Sequence, residues 1–236
     1  MSCKGCGEDK KLVRSHIIPE AFFKGLRDGN TAPRMLTNIE GKYPKKAPIG
    51  VYDQTILCAD CENVFQLYDD YGCTVLLKDE EKHEKLMKGD FLAGYKVHGI
   101  DYSRIKLFFM SILWRASVSS HEFYRKVRLG KLEGRLKELV WAQDPGGEHE
   151  FSFGLAKFDD GREGRTILDP HQERFFAIRY YRFYLFGYVL YIKADSRATP
   201  ERFRFPDANN DTLYIVSRGE MANAKEFRVV QSIASK

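Results

Sequence analysis

Two pairs of cysteines carry the clearest chemistry in the chain. Cys3 and Cys6 form one C-x-x-C, with Gly5 and Gly7 favouring a tight turn, and Cys58 and Cys61 form a second. Each such knuckle brings two thiolates onto one side of a metal, and two knuckles complete the tetrahedral sulfur shell that Zn²⁺ accepts at about 2.3 Å per bond. Four thiolates leave no open position for water, so the expected zinc is structural. Its work is mechanical: it joins the first residues of the chain to the element that begins near Cys61. The remaining cysteine, Cys73, has no partner at ligand spacing and is expected to pack as a small buried hydrophobe.

Between the knuckles the segment Ser15-His16-Ile17-Ile18-Pro19 sets an imidazole among apolar neighbours, and Glu62 directly follows the last cysteine. The order C-x-x-C, then H-I-I-P, then I-L-C-x-x-C-E-N resembles the HNH, or ββα-metal, endonucleases in their four-cysteine branch. The resemblance covers about residues 3–70. It implies a histidine at the end of the first strand of a hairpin, a helix after the second knuckle that carries a metal ligand, and one Mg²⁺-like or Mn²⁺-like ion between them. The implied reaction is hydrolysis of phosphodiester bonds, in DNA ahead of RNA.

The residue types suit that chemistry. Water must be made nucleophilic, and an imidazole, which titrates near neutral pH, is a competent general base, so His16 is the candidate base. A hard divalent ion takes oxygen ligands and stabilises charge on the phosphate and the leaving oxygen. Glu62 stands where the family commonly has Asn or His, and Gln66 lies one helical turn further on the same face. Ser15 stands where the family often has Asp, His or Glu, and a neutral hydroxyl holds a divalent ion less strongly. Asp53 and Asn63 are both candidates for the family's middle Asn. Asp53 either supplies the missing carboxylate or orients His16 through a hydrogen bond. The layout of an N-terminal H-I-I-P module with a large C-terminal body resembles a range of bacterial proteins, among them some anti-phage effectors that work beside an ATPase, which implies a defence role and a protein partner of that kind. The rival reading is a non-catalytic zinc module that binds nucleic acid or a protein, and Ser15 is the feature that favours it.

These residues need elements to position them. Val64, Phe65 and Tyr68 follow Cys61 at helical spacing and predict a short helix there. Residues 78–89 are highly charged and read as an exposed helix or linker. Ser103 is placed to cap a core helix whose stripe is Ile105, Phe108, Phe109, Ile112, Leu113 and Ala116. A second helix is expected from about His121, and a third from Lys131 to Ala142, stopped by Gln143-Asp144-Pro145-Gly146-Gly147. Beyond it come stretches rich in aromatic and β-branched residues, around 150–158, 174–195, 212–217 and 227–233, which read as strands. The expected fold class is therefore α+β: a zinc-bound ββα-metal, treble-clef-like module over 1–75, a charged connector over 76–102, and a helical segment with an antiparallel β-sheet body over 103–236.

Charge and composition set outer limits. The formal net charge is +5, and apolar residues make up 43% of the chain. Residues 1–50 hold ten Lys or Arg against five acids, so this stretch accounts for the whole excess. Lys10, Lys11, Arg14, Lys45 and Lys46 are the candidate nucleic-acid contacts. Arg174, Arg179 and Arg182 interleave with aromatics from Phe175 to Tyr191, a pattern that serves either a sheet core or stacking against bases. Asp69 and Asp70 are read as surface acids, His83 as solvent-facing, and His98, His121, His149 and His171 as structural. No apolar run approaches a membrane span, and the first residues carry no apolar leader, so a soluble cytoplasmic protein is expected.

Overall fold

The computed structural model describes residues 1–26, 34–35, 45–47, 49–159, 167–201 and 211–224. A two-residue strand β1 (Ser15–His16) pairs antiparallel with β4 (Tyr52–Asp53), setting Ser15 opposite Asp53 and His16 opposite Tyr52. Between them lie the short helix α1 (Glu20–Lys24) and a second small pair, β2 (Arg34–Met35) with β3 (Lys45–Lys46). Helix α2 (Ala59–Cys73) begins immediately after Cys58 and continues into a π-helical turn over Thr74–Lys78.

The charged stretch after it is not a free connector. It contains β5 (Glu84–Lys88) and β6 (Phe91–His98), which open a sheet of seven strands among the described residues. Most β5 side chains are exposed because β5 is the sheet's edge, where charged residues discourage pairing with another chain. His83, just before it, is buried rather than solvent-facing, and its Nε2 lies 2.9 Å from the Val75 carbonyl. The other strands are β7 (Phe153–Lys157), β8 (His171–Phe175), β9 (Ile178–Leu185), β10 (Tyr188–Lys193) and β11 (Thr212–Ser217), in the order β5-β6-β11-β7-β10-β9-β8. All neighbours are antiparallel except β11 with β7, which run parallel. The stretch expected as a strand at 227–233 lies outside the described residues.

Helix α3 (Tyr102–Val118) is the central rod. Its expected stripe is buried, and it packs against α2, α4 (Leu132–Ala142) and β10. Asp101, not Ser103, caps it, by accepting a hydrogen bond from the Arg104 amide. The element expected from His121 is one 3-10 turn, Glu122–Tyr124, capped by the His121 ring. One continuous core runs from Cys3 through α2, α3 and α4 to Ile215 on the sheet. At its N-terminal end Phe65 stacks on Trp114 and meets Trp141 edge-on, while Tyr68 donates to the Val140 carbonyl. Phe65, Trp114 and Tyr68 are buried while Trp141 is half-buried, and a fully buried side chain of the size of Phe65 contributes roughly 1.5–3 kcal/mol. The mixed α+β architecture thus holds, and the cysteine-bearing segment shares its core with the body. Among the described residues, no helix is long and apolar enough to cross a membrane.

Candidate functional site

The first knuckle is held by its own backbone. Gly7 sits at φ +80°, a conformation that suits glycine, and its amide donates to the Cys3 carbonyl. A Cβ at Gly5 would lie 2.6 Å from Cys61 Sγ and 2.8 Å from the Trp141 ring, so position 5, just before Cys6, must lack a side chain. The second knuckle is fixed by an isolated bridge from Leu12 to Cys58 and by the start of α2, which places Cys61 in its first turn. All four sulfurs come within 4.8 Å of one another, with Cys6 and Cys58 at 4.0 Å. A zinc–sulfur tetrahedron has edges of about 3.8 Å, so the donor set fits a structural zinc. Burial opposes ionisation of Cys3, yet backbone amides of Cys58, Cys6 and Gly5 bring its thiol down to about 7. The Cys58 amide donates to Cys3 Sγ at 3.2 Å, a bond that favours thiolate. Lys137 of α4 donates to the Lys4 carbonyl and ties the knuckle to the body.

The β1–β4 pair and α2 bring Ser15, His16 and Glu62 together. Ser15 is fully buried, and its hydroxyl donates to Glu62 Oε2 at 2.6 Å. The half-buried His16 ring has Nε2 at 2.8 Å from the Ile49 carbonyl. A carbonyl only accepts, so Nε2 carries the hydrogen and Nδ1 keeps the lone pair. Burial raises the Glu62 carboxyl above its ordinary value, while the Arg115 charge, the Ser15 hydroxyl and the nearby His16 pull it back down.

Behind this group sits a charge pair that the pattern of the sequence did not disclose. Arg115 of α3 is fully buried and reaches Asp69 with Nη1 at 2.8 Å and Nη2 at 2.6 Å. Its Nη1 also donates to the His16 carbonyl at 2.6 Å, and Nη2 to the Ser111 hydroxyl at 3.1 Å. Asp69 is therefore not a surface acid: its side chain is 18% exposed, and it neutralises the cation that holds the His16 backbone. A sequence signal did exist, since an arginine inside an apolar helical stripe must find an anion.

Asp53 is a second correction. It neither reaches Glu62 nor orients His16 through any hydrogen bond of the described residues. Its oxygens accept from the Thr55 amide and hydroxyl, the Ser119 and Ser120 hydroxyls, and the Ser120 and His121 amides. Asp53 thereby ties β4 to the end of α3. Burial alone would raise its carboxyl, but these hydrogen bonds prevail and hold it below the usual range. Asn63 and Gln66 are exposed on α2. Of the basic candidates, Lys10 pairs with Glu8 and Asp60, Lys11 is exposed, and Arg14 lies 5.4 Å over the Tyr52 ring. Lys45 and Lys46 form β3, with side chains outside the described set. The remaining histidines are held in the body: His98 contacts Glu84, His149 accepts from the Thr199 amide and His171 from Arg182.

Among the described residues, the four cysteines are the one group of three or more His, Cys, Asp or Glu close enough to share a metal. Glu62 is thus a single carboxylate beside a hydroxyl and an imidazole. Comparison with protein-family models, curated proteins and solved structures returns no match, so the chemistry is read from this geometry.

Proposed function

We propose that the chain is a zinc-stabilised endonuclease that hydrolyses phosphodiester bonds, in DNA ahead of RNA, with His16 as general base. The observation that carries the reading is the pinned tautomer: the Ile49 carbonyl takes the Nε2 hydrogen and leaves Nδ1 able to accept a proton from water. Arg115 holds the His16 carbonyl from behind, so the ring is anchored through backbone and side chain together. Glu62, with Ser15 bonded to it, would hold one Mg²⁺ or Mn²⁺ ion. That ion, when bound, supplies positive charge for the phosphate and the leaving oxygen. The cysteine cluster keeps α2, and so Glu62, facing β1.

One observation supports the rival, a non-catalytic module binding nucleic acid or protein: Glu62 is alone at His16, since Asp53 and Asp69 are engaged elsewhere. Plasmid nicking with Mg²⁺ or Mn²⁺ decides between them. His16→Ala is expected to lose about 10²–10⁴-fold in rate, the usual contribution of a general base. Cleavage that survives unchanged in the variant removes His16 from the mechanism, and no nicking by wild type with either ion favours the module.

A further inference from the structure

At the far end of the sheet, β8 and β9 form a hairpin whose register sets Arg174 directly opposite Arg179. Like charges in that relation destabilise a free sheet. Both line a cleft of about 760 Å³ between the hairpin and the start of α4, together with Lys131 and Arg197. One lining carboxylate, Asp195, faces these four cations, and it is already engaged: Arg197 binds both its oxygens, at 2.9 and 2.8 Å, and the Arg179 amide donates to it at 3.3 Å. Arg179 spends its Nε on the Ala194 carbonyl, which fixes the guanidinium at the cleft wall. Arg174 and Lys131 are exposed. Four cations against one lining carboxylate leave the cleft with a net positive charge, although Glu133 in the first turn of the 11-residue α4 offsets the field of that helix's amino end.

The turn of the same hairpin supplies the other half of the argument. Phe176 and Ala177 occupy it at φ +50° and +63°, a tight turn that usually takes Asn or Gly. Phe176 is 62% exposed there, next in sequence to Ala177 of the cleft wall. An exposed ring next to opposed arginines is the combination that stacks bases while holding phosphates.

We propose that the cleft between the β8–β9 hairpin and the start of α4 binds the sugar–phosphate backbone of single-stranded nucleic acid. A cleft of this volume takes a few nucleotides of one strand, within the size range of ordinary ligand sites. The inference does not depend on hydrolysis at His16, because a catalytically silent module would use the same surface.

The test is fluorescence anisotropy of the full-length protein with a labelled single-stranded oligonucleotide, without added Mg²⁺ or Mn²⁺. The variant is Lys131→Ala with Arg174→Ala, and the control removes the same charge from β5 by Lys85→Ala with Lys88→Ala. The cleft variant is expected to bind about tenfold more weakly and to lose about 1.4 from the slope of log affinity against log salt, two phosphate contacts at about 0.7 each. The control should change affinity by less than about twofold. Equal loss in both variants, or no binding at about 50 mM salt, overturns the proposal. So does displacement of the oligonucleotide by inorganic phosphate at matched phosphate concentration, which marks a small-anion site. Binding of a poly-glutamate peptide as tight as that of the oligonucleotide overturns the nucleic-acid assignment.

Discussion

Replacing Asp69 by Asn keeps the shape of the side chain and strands a cation. Arg115 is wholly out of solvent and Asp69 is 18% exposed, and their two hydrogen bonds of 2.6 and 2.8 Å make a bidentate pair. Two unit charges about 4 Å apart attract by about 4 kcal/mol at an effective dielectric constant near 20. Removing one partner of a buried pair costs about 3–5 kcal/mol, because the survivor stays desolvated. Asp69→Asn should therefore lose about 3–4 kcal/mol, a large share of the roughly 5–15 kcal/mol that holds an ordinary domain together. Arg115→Met should lose a similar amount, since it also leaves the His16 carbonyl without its donor. Most of each loss comes from the abandoned partner, so the double variant should fall short of the sum by about 2 kcal/mol or more. Urea denaturation of the metal-loaded protein measures all four species of the cycle. A loss below about 1 kcal/mol for Asp69→Asn, or strict additivity in the double variant, refutes the view that this pair supports the strand bearing His16.

Asp53→Asn should cost about 1.5–3 kcal/mol at neutral pH by weakening charged hydrogen bonds to the 119–121 turn. Because the folded carboxyl titrates below its unfolded value, this stability is present above about pH 4 and is lost as pH falls through the folded value, so denaturation of wild type and variant should converge in acid. Lys106 is buried against the Gly147 carbonyl, and burial lowers its ammonium to about 8. The unfolded chain keeps that proton up to about pH 10.4, so wild-type stability should rise between about pH 8 and 10. Lys106→Met should gain about 2 kcal/mol at neutral pH, roughly 3 from the relieved charge less about 1 for the lost hydrogen bond, and melting curves should show the gain shrinking toward pH 10. Cys58→Ser should abolish metal retention and open residues 1–70 to protease, measured by metal content and limited digestion; unchanged resistance refutes a structural role for the cluster.

What could be read in advance followed distance along the chain. Cys3, Cys6, Cys58 and Cys61 announce themselves through local spacing, and the α3 stripe through its period, because both signals lie within a few residues. The resemblance to the four-cysteine branch implies that Glu62 lies near Ser15 and His16, and the contact of Ser15 with Glu62 follows once α2 begins beside the knuckle. The partners of Asp53 and Asp69 were hidden, since Ser119 and Arg115 lie on another helix and no local rule names them. Residues 78–89 read as an exposed helix or linker, although they hold β5, because an edge strand is written in the same polar residues. The parallel contact of β11 with β7 was hidden for a related reason: strand composition gives existence, not neighbours.

The placement of the indole rings has an optical consequence. The chain has two tryptophans, and their rings lie 4.7 Å apart, with Trp141 against the turn of the first knuckle. Every intrinsic ultraviolet emitter of the indole type therefore sits beside the sulfur clasp, and none elsewhere. Loosening that clasp should redden and change the native emission before the distant strands respond, giving the protein a label-free gauge of its own metallation.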